Sequence, residues 1–374
     1  MSYINRISKK NQDRKEENSF RTLTVKEGLI DFCSNDYLGF ERNKDLQDEI
    51  HKKEVAAHAE LRNGSSGSRL LSGNSALAES VEAYLAQFFN VESTLIFNSG
   101  YAANVGVLSS IPQKGDTILY DELIHASLKD GARLSFATRI PFKHNDIEDF
   151  ENKIKKASGD VFVVLESIYS MDGDKAALKE LVRIAKQYKA CVIVDEAHST
   201  GTCGIMGQGL VVEEGIADLV DIRIHTFGKA MGIHGACVAA SKLIVDYLIN
   251  FSRAFIYTTA FSPHSFFAIQ AAFEKLEKSA DTIQSLNKNI QLFSTRLESF
   301  QGYYSSTSPI HVLKFGSTER VKQLAATIQD AGFDVRPILS PTVKKGEERL
   351  RFCIHAFNSE TEIHNLTEIL KKNI

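Results

Sequence analysis

Three short segments of this chain end on residues that could share one chemical task. Lys229 closes the run Asp221-Ile222-Arg223-Ile224-His225-Thr226-Phe227-Gly228-Lys229, a strand pattern that passes into small residues at Gly228, Ala230 and Gly232. A lysine in such company is expected in a tight pocket, where desolvation lowers its pKa and makes the amine nucleophilic. Asp195 follows the apolar run Cys191 to Val194, and His198 stands three residues on. A carboxylate at that position can pair with a cationic group of a ligand. Ser99 and Gly100 follow the apolar Thr94 to Phe97 and precede a helical stretch through Val107. Their turn offers backbone N–H groups of the kind that bind phosphate.

Each segment also has an ordinary reading, as a surface lysine or a plain strand-to-helix turn. Asp195 and His198 could instead hold a metal with His225 or His234 as third ligand, although neither HExxH-like spacing nor a GxxxxGK[ST] loop is present. Taken in order, the three make one device. Pyridoxal 5′-phosphate needs backbone donors for its phosphate, a carboxylate for its pyridinium nitrogen and an amine for its aldehyde.

The elements that must position these residues are legible as periodicity. Leu77, Val81, Leu85 and Phe88 fall at helical spacing, as do Leu178, Leu181, Val182, Ala185 and Tyr188. Buried strands are expected at Thr94 to Phe97, Thr117 to Tyr120, Val161 to Leu165 and Cys191 to Val194. Uninterrupted apolar strands alternating with helices predict an α/β fold whose mostly parallel sheet is covered on both faces, with ligands beyond the carboxyl ends of the strands. From Ser262 to Gln301 the pattern is helical, striped by Phe266, Ile269, Phe273 and Leu276. A strand at His311 to Phe315, a helix near Val321 to Ala331, a strand at Leu350 to Ile354 and a final helix capped by Ser359 and Glu362 follow. The division expected is an arm at 1–45, whose first 30 residues are polar, a large domain at 46–255 and a small α/β domain at 256–374.

Composition sets the outer bounds. The 374 residues carry 44 Lys+Arg against 47 Asp+Glu, a net charge of −3, so neither nucleic acid nor an anionic membrane is favoured as a partner. No apolar run approaches the roughly 20 residues of a membrane helix. The five cysteines are odd in number and unpaired in spacing, which reads as reduced thiols of a cytoplasmic protein. The start MSYINRISKK lacks the apolar stretch of a secretion signal.

Seven ordered segments resemble the α-oxoamine synthases: NDYLGF (35–40), GSSGSRLLSG (64–73), FNSGYAAN (97–104), DELIHASL (121–128), ESIYSMDGD (166–174), DEAHSTG (195–201) and HTFGKAMG (225–232). Members of this family are fold-type-I pyridoxal-phosphate transferases that join an amino acid to an acyl thioester with loss of carbon dioxide. The resemblance implies that Lys229 bonds the cofactor's aldehyde and then serves as base at the substrate Cα. It implies that Asp195 keeps the pyridine nitrogen protonated, that His125 stacks on the ring, and that His198 and Ser170 lie near the 3′-oxygen, with Glu166 also against the cofactor. Ser99, Gly100, Tyr101 and Thr226 would line the phosphate. Thr258 and Thr259 would reach it from a neighbouring subunit, which implies a homodimer with its active site at the subunit interface. Asn35 and Arg351 would hold the amino-acid carboxylate, with Arg349 as fallback, and Thr342 would meet the acyl substrate.

The segment GSSGSRLLSG is most similar to the branch that joins L-alanine to a pimeloyl thioester, on coenzyme A or acyl carrier protein, in biotin biosynthesis. The sequence departs from the family at Ala78 and Gln208. The arginine that the family's arm sends to the acyl group has Arg14 as its candidate here. The rival readings are a sister synthase using glycine or serine, an aminotransferase, a metal hydrolase built on Asp195, His198 and His225, and a non-catalytic cofactor-binding relative.

Overall fold

The computed structural model describes residues 2–25, 27–57 and 62–374, so Met1 and Lys26 of the expected arm lie outside it. Two units divide the chain: Asn35–Ser170 with Asp174–Asn287, and Met1–Ser34 with Met171–Gly173 and Lys288–Ile374.

Seven strands form the sheet of the larger unit: β1 (Ser93–Phe97), β2 (Thr117–Asp121), β3 (Thr138–Phe142), β4 (Val161–Glu166), β5 (Cys191–Asp195), β6 (Ile222–Thr226) and β7 (Ala236–Ala240). Their order is β1-β7-β6-β5-β4-β2-β3. All neighbours run parallel except β7, which is antiparallel to both β1 and β6. Successive residues of β4, β5, β6 and β7 are buried, as a sheet covered on both faces requires. The expected α/β class is therefore what the chain adopts.

Two strands escaped the periodicity. β7 reads Ala-Cys-Val-Ala-Ala, small residues of modest β-propensity that fit only because the strand is enclosed between two neighbours. β3 contains Pro141 and is largely exposed, as an edge strand that tolerates a missing N–H must be.

The helices follow their apolar stripes. Helix α1 (Ala76–Phe88) buries Val81, Leu85 and Phe88 and is capped by Ser75. Helices α2 (Gly100–Ser110) and α3 (Ala126–Leu134) follow β1 and β2 directly and pack together. Helix α4 (Leu178–Gln187) buries Leu178, Leu181, Val182 and Ala185, and α5 (Pro263–Leu276) buries Phe266, Ile269, Phe273 and Leu276. The helical stretch expected up to Gln301 is broken once: Ser279 returns its hydroxyl to the Lys275 carbonyl at 2.7 Å, and a separate helix runs from Ala280 to Leu297.

In the smaller unit, β8 (Tyr303–Tyr304), β9 (Ile310–Lys314), β10 (Arg336–Ile338) and β11 (Arg349–Cys353) form an antiparallel sheet in the order β10-β11-β9-β8. Helices α6 (Thr318–Asp330) and α7 (Glu360–Asn373) accompany it, and Ser359 and Glu362 close the expected capping box. The polar N-terminal stretch is a helix, Tyr3–Glu16, that buries none of its residues.

Within the larger unit, His144 joins two carboxylates just beyond β3. Its Nδ1 lies 3.0 Å from both Asp121 oxygens and its Nε2 2.7 Å from Asp174 Oδ2. Burial opposes the charge, but the two carboxylates prevail and raise the imidazole to about 10. A raised pKa gives stability that is complete below the ordinary value near 6.5 and is lost as pH rises through about 10. Chemical denaturation across that window should therefore show stability falling with pH, and His144→Gln should flatten the slope relative to wild type. Equal slopes in the two proteins would show that the ring is not held charged.

Candidate functional site

The carboxyl ends of the central strands gather the expected residues of the larger unit. Lys229 lies in the hairpin that joins β6 to β7. Phe227 N–H donates to the Gly235 carbonyl at 2.8 Å, Ile233 N–H to Phe227 at 3.0 Å and Gly232 N–H to Lys229 at 2.9 Å. Gly232 has φ +62°, and a Cβ there would stand 2.2 Å from the Glu41 nitrogen, so only glycine lets the lysine turn pack this closely. The Lys229 amine is 2.8 Å from His198 Nε2, His198 Nδ1 is 2.8 Å from the Tyr37 hydroxyl, and that hydroxyl donates to Asn35 Oδ1 at 3.0 Å. Asn35, expected on the amino-acid carboxylate, thus stands at the end of a chain that begins at the lysine.

Asp195 ends β5 and is 5% exposed. Its Oδ1 accepts from Ala197 N–H at 2.9 Å and its Oδ2 from Asn104 Nδ2 at 2.7 Å. Asn104 also donates to Ser127 Oγ at 2.9 Å, and that oxygen is 2.7 Å from His125 Nδ1. His125 caps α3, with Nδ1 accepting from Ser127 N–H at 3.2 Å. Its own backbone N–H donates to Glu166 Oε1. Glu166 stands beside Asp195 in the strand register and is buried. Burial and the neighbouring Asp195 charge both push its carboxyl above the usual carboxylate range, with Lys229 pulling the other way. Burial likewise lowers the His125 imidazole, against the pull of Asp195.

The turn after β1 carries the third group. Ser99 caps α2 by accepting from Ala102 N–H at 3.1 Å, and a Cβ on Gly100 would come 3.1 Å from Thr226 Oγ1. Serine, glycine and threonine therefore converge at a helix N-terminus, the arrangement that suits a phosphate. Tyr101 is half exposed, with its hydroxyl on Asp130 at 2.9 Å. Thr258 Oγ1 and the Thr259 carbonyl accept from Asn98 of the same chain at 3.3 and 3.0 Å. Ser170 is half-buried in the turn that follows β4.

Within the smaller unit, Arg351 lies on β11 with Nη1 3.0 Å from Cys353 Sγ. Arg349 is 3% exposed and committed to Asp172 and Glu347, so it is not available as the fallback for substrate. Thr342 is exposed and accepts from Arg21 Nη2 at 2.8 Å. Arg21, not Arg14, is thus the arm arginine beside the expected acyl contact. Sequence reasoning missed Arg21 for want of any motif around it, and missed Asn104 although it closes FNSGYAAN.

The metal alternative does not assemble. His225 stacks on Phe89 with ring centroids 3.8 Å apart and its Nδ1 2.9 Å from Thr200 Oγ1, while His234 is exposed. Among the described residues no three of His, Cys, Asp and Glu gather where a metal could be held. Pyridoxal phosphate fits instead. At the cradle a Cβ on Gly100 would crowd Thr226, and Asp195 is a buried acceptor already oriented by two donors.

On a mostly parallel seven-stranded sheet, that fit defines a fold-type-I pyridoxal-phosphate enzyme. Comparison with known proteins narrows it. The model of the aminotransferase class I and II family matches residues 27–370, and the chain belongs to that family, among its α-oxoamine synthases. It is 42% identical to an 8-amino-7-oxononanoate synthase of Emericella nidulans, over 94% of this chain and 90% of the relative. It is 39% identical to 8-amino-7-oxononanoate synthase 2 of Bacillus subtilis, over 90% and 86%. Among solved structures, serine palmitoyltransferase of Sphingomonas wittichii superposes with a TM-score of 0.91 at 25% identity, covering 100% of this chain and 98% of that one. The 8-amino-7-oxononanoate synthase of Francisella tularensis superposes at 0.80 and 28%, covering 93% and 98%.

Borohydride treatment of protein loaded with pyridoxal phosphate should leave the cofactor covalently on the peptide that contains Lys229. Lys229→Ala should lose both that adduct and the long-wavelength absorbance of the bound cofactor. A colourless wild-type protein whose activity requires zinc would overturn the assignment.

Proposed function

We propose that the chain condenses L-alanine with a pimeloyl thioester, releasing carbon dioxide and the free thiol and forming 8-amino-7-oxononanoate for biotin biosynthesis. The observation that carries this is the placement of Lys229, Asp195 and the Ser99–Gly100–Thr226 cradle at the carboxyl edge of one sheet, in a chain 35–42% identical to synthases of that name. Pyridoxal phosphate, when bound, supplies an electron sink conjugated to the substrate's Cα.

The side chains do the rest. Ser99, Gly100, Tyr101 and Thr226 hold the phosphate. Asp195 holds the proton on the ring nitrogen by opposite-charge attraction. Lys229 removes the Cα proton of alanine at Nζ and later returns one to the product, a transfer that suits an amine seated against His198. As the family resemblance implies, Arg351 has the guanidinium fork that an amino-acid carboxylate takes, and Asn35 an amide donor for the same kind of group. His125, Glu166, Ser170 and His198 complete the wall around the cofactor, with His125 serving the carbonyl oxygen that forms as the new carbon–carbon bond closes.

Arg21 and Thr342 take the far carboxylate of the pimeloyl chain. A cation is the group that a dicarboxylic acyl chain requires and that a plain fatty acyl chain does not. The acyl carrier is coenzyme A or acyl carrier protein. The enzyme works as a cytoplasmic homodimer, with Thr258 and Thr259 facing the partner's phosphate site. The exposed Leu71 and Tyr257 support such an interface. Among the described residues no helix is long and apolar enough to cross a membrane.

Mass analysis of products from alanine, glycine or serine offered with pimeloyl, acetyl or palmitoyl thioesters tests the assignment. Alanine with the pimeloyl thioester is expected to dominate, and a clear preference for glycine with the acetyl thioester would make this a sister synthase. Arg21→Ala should raise KM for the pimeloyl thioester by about tenfold or more, as loss of a charged hydrogen bond does, with KM for alanine unchanged.

A further inference from the structure

The hydrogens between Asp195 and His125 are assigned from the groups whose roles are fixed. Asp195 Oδ2 is an acceptor, so the Asn104 atom 2.7 Å away is Nδ2; the flipped amide would press Oδ1 against a carboxylate oxygen. This orientation leaves Asn104 Oδ1 buried with no hydrogen-bond partner among the described residues. The second Nδ2 hydrogen goes to Ser127 Oγ at 2.9 Å. Ser127 Oγ keeps a second lone pair, so its 2.7 Å contact with His125 Nδ1 takes its direction from the other group that meets that nitrogen. That group is the Ser127 backbone N–H, which can only donate and reaches Nδ1 at 3.2 Å, so the hydroxyl donates there too. Nδ1 thus receives two donors and carries no hydrogen, which assigns the hydrogen of the neutral ring to Nε2.

We propose that Asn104 and Ser127 are positioning residues that set the proton of His125. They relay the orientation of Asp195 to the imidazole and keep it neutral, so that His125 serves the reaction as an Nε2–H hydrogen-bond donor to oxygen rather than as a base or an imidazolium. Protonating Nδ1 would set a third hydrogen against the Ser127 hydroxyl and N–H, which opposes the charged form. Burial acts in the same sense, as do Lys229 and Lys129, while Asp195 and Asp130 favour the charge and Glu166 holds the backbone N–H. The inference deepens the function proposed above and rests on it for the oxygen that His125 meets. The tautomer itself belongs to the chain whatever acyl group is used.

Ring-nitrogen NMR of the holoenzyme labelled with ¹⁵N-histidine reads this directly, with His125→Gln identifying the signal. The expected result is a bare Nδ1 and a protonated Nε2 through the neutral range. Ser127→Ala should move the midpoint of the His125 titration upward and lower kcat about tenfold, within what a misplaced proton-transfer or donor group costs, with KM for alanine unchanged. Asn104→Leu should act in the same direction. A hydrogen on Nδ1 in the wild-type protein, an imidazolium at neutral pH, or variants that titrate as wild type would each overturn the proposal. A chain that made another product yet showed the bare Nδ1 would lose the assigned reaction and retain this inference.

Discussion

Asp195 carries a carboxylate into the end of a strand where almost no water reaches it, and a buried charge persists only where hydrogen bonds replace solvent. The surrounding residues follow from that constraint. Ala197 and Asn104 each give one hydrogen, and Asn104 leaves its own carbonyl unsatisfied to do so. The strand register then sets a second carboxyl, Glu166, beside the first. Two adjacent buried carboxylates cannot both ionise readily, so the environment pushes Glu166 toward its neutral form and uses its oxygen to hold the His125 backbone. In the proposed site one acid is left to face the cofactor while the other fixes the wall.

The next residue solves the same problem by different means. Glu196 is fully buried and accepts from Leu210 and Val211 N–H groups, both at 2.9 Å, and from the Ser199 hydroxyl. It anchors the segment that follows β5 to the short helix Leu210–Glu213. Arg223, also buried, donates to the Phe89 carbonyl at 2.7 Å, and His225 stacks on the Phe89 ring. These charged and aromatic groups secure β5 and β6 from behind, so the motif DEAHSTG divides its labour residue by residue. Its acids look alike in sequence, and only their hydrogen-bond partners tell ligand binding from structure.

The residues legible in the sequence were those whose local pattern matches their environment. Long apolar runs gave β1, β2, β4 and β5, and the stripes of α4 and α5 fall on buried faces, save Tyr188, which lies past the end of α4 and is exposed. β7 was not legible because alanine carries no strand signal, and tertiary enclosure overrides its weak propensity. Asn104 was missed for a related reason: mid-helix asparagines carry no mark of what they touch, and its partner Asp195 is 91 residues distant. Arg21 and Thr342 are 321 residues apart, so no spacing rule could have preferred Arg21 to Arg14. Strand ends announce themselves locally, whereas the supports behind them are contacts between distant segments.

The hairpin between β6 and β7 bears on the two jobs proposed for Lys229. Both of its legs are sheet strands, its turn is cross-bonded from Phe227 to Gly235, and Gly232 is packed on the backbone of Glu41. The main chain beneath the lysine therefore has almost no play. Whatever distance the amine covers between carrying a cofactor and meeting a proton must come from rotation about its own methylene stem. In the proposed reaction the amine is a swivel on a fixed mount, and its two working positions are rotamers of one side chain rather than two shapes of the protein.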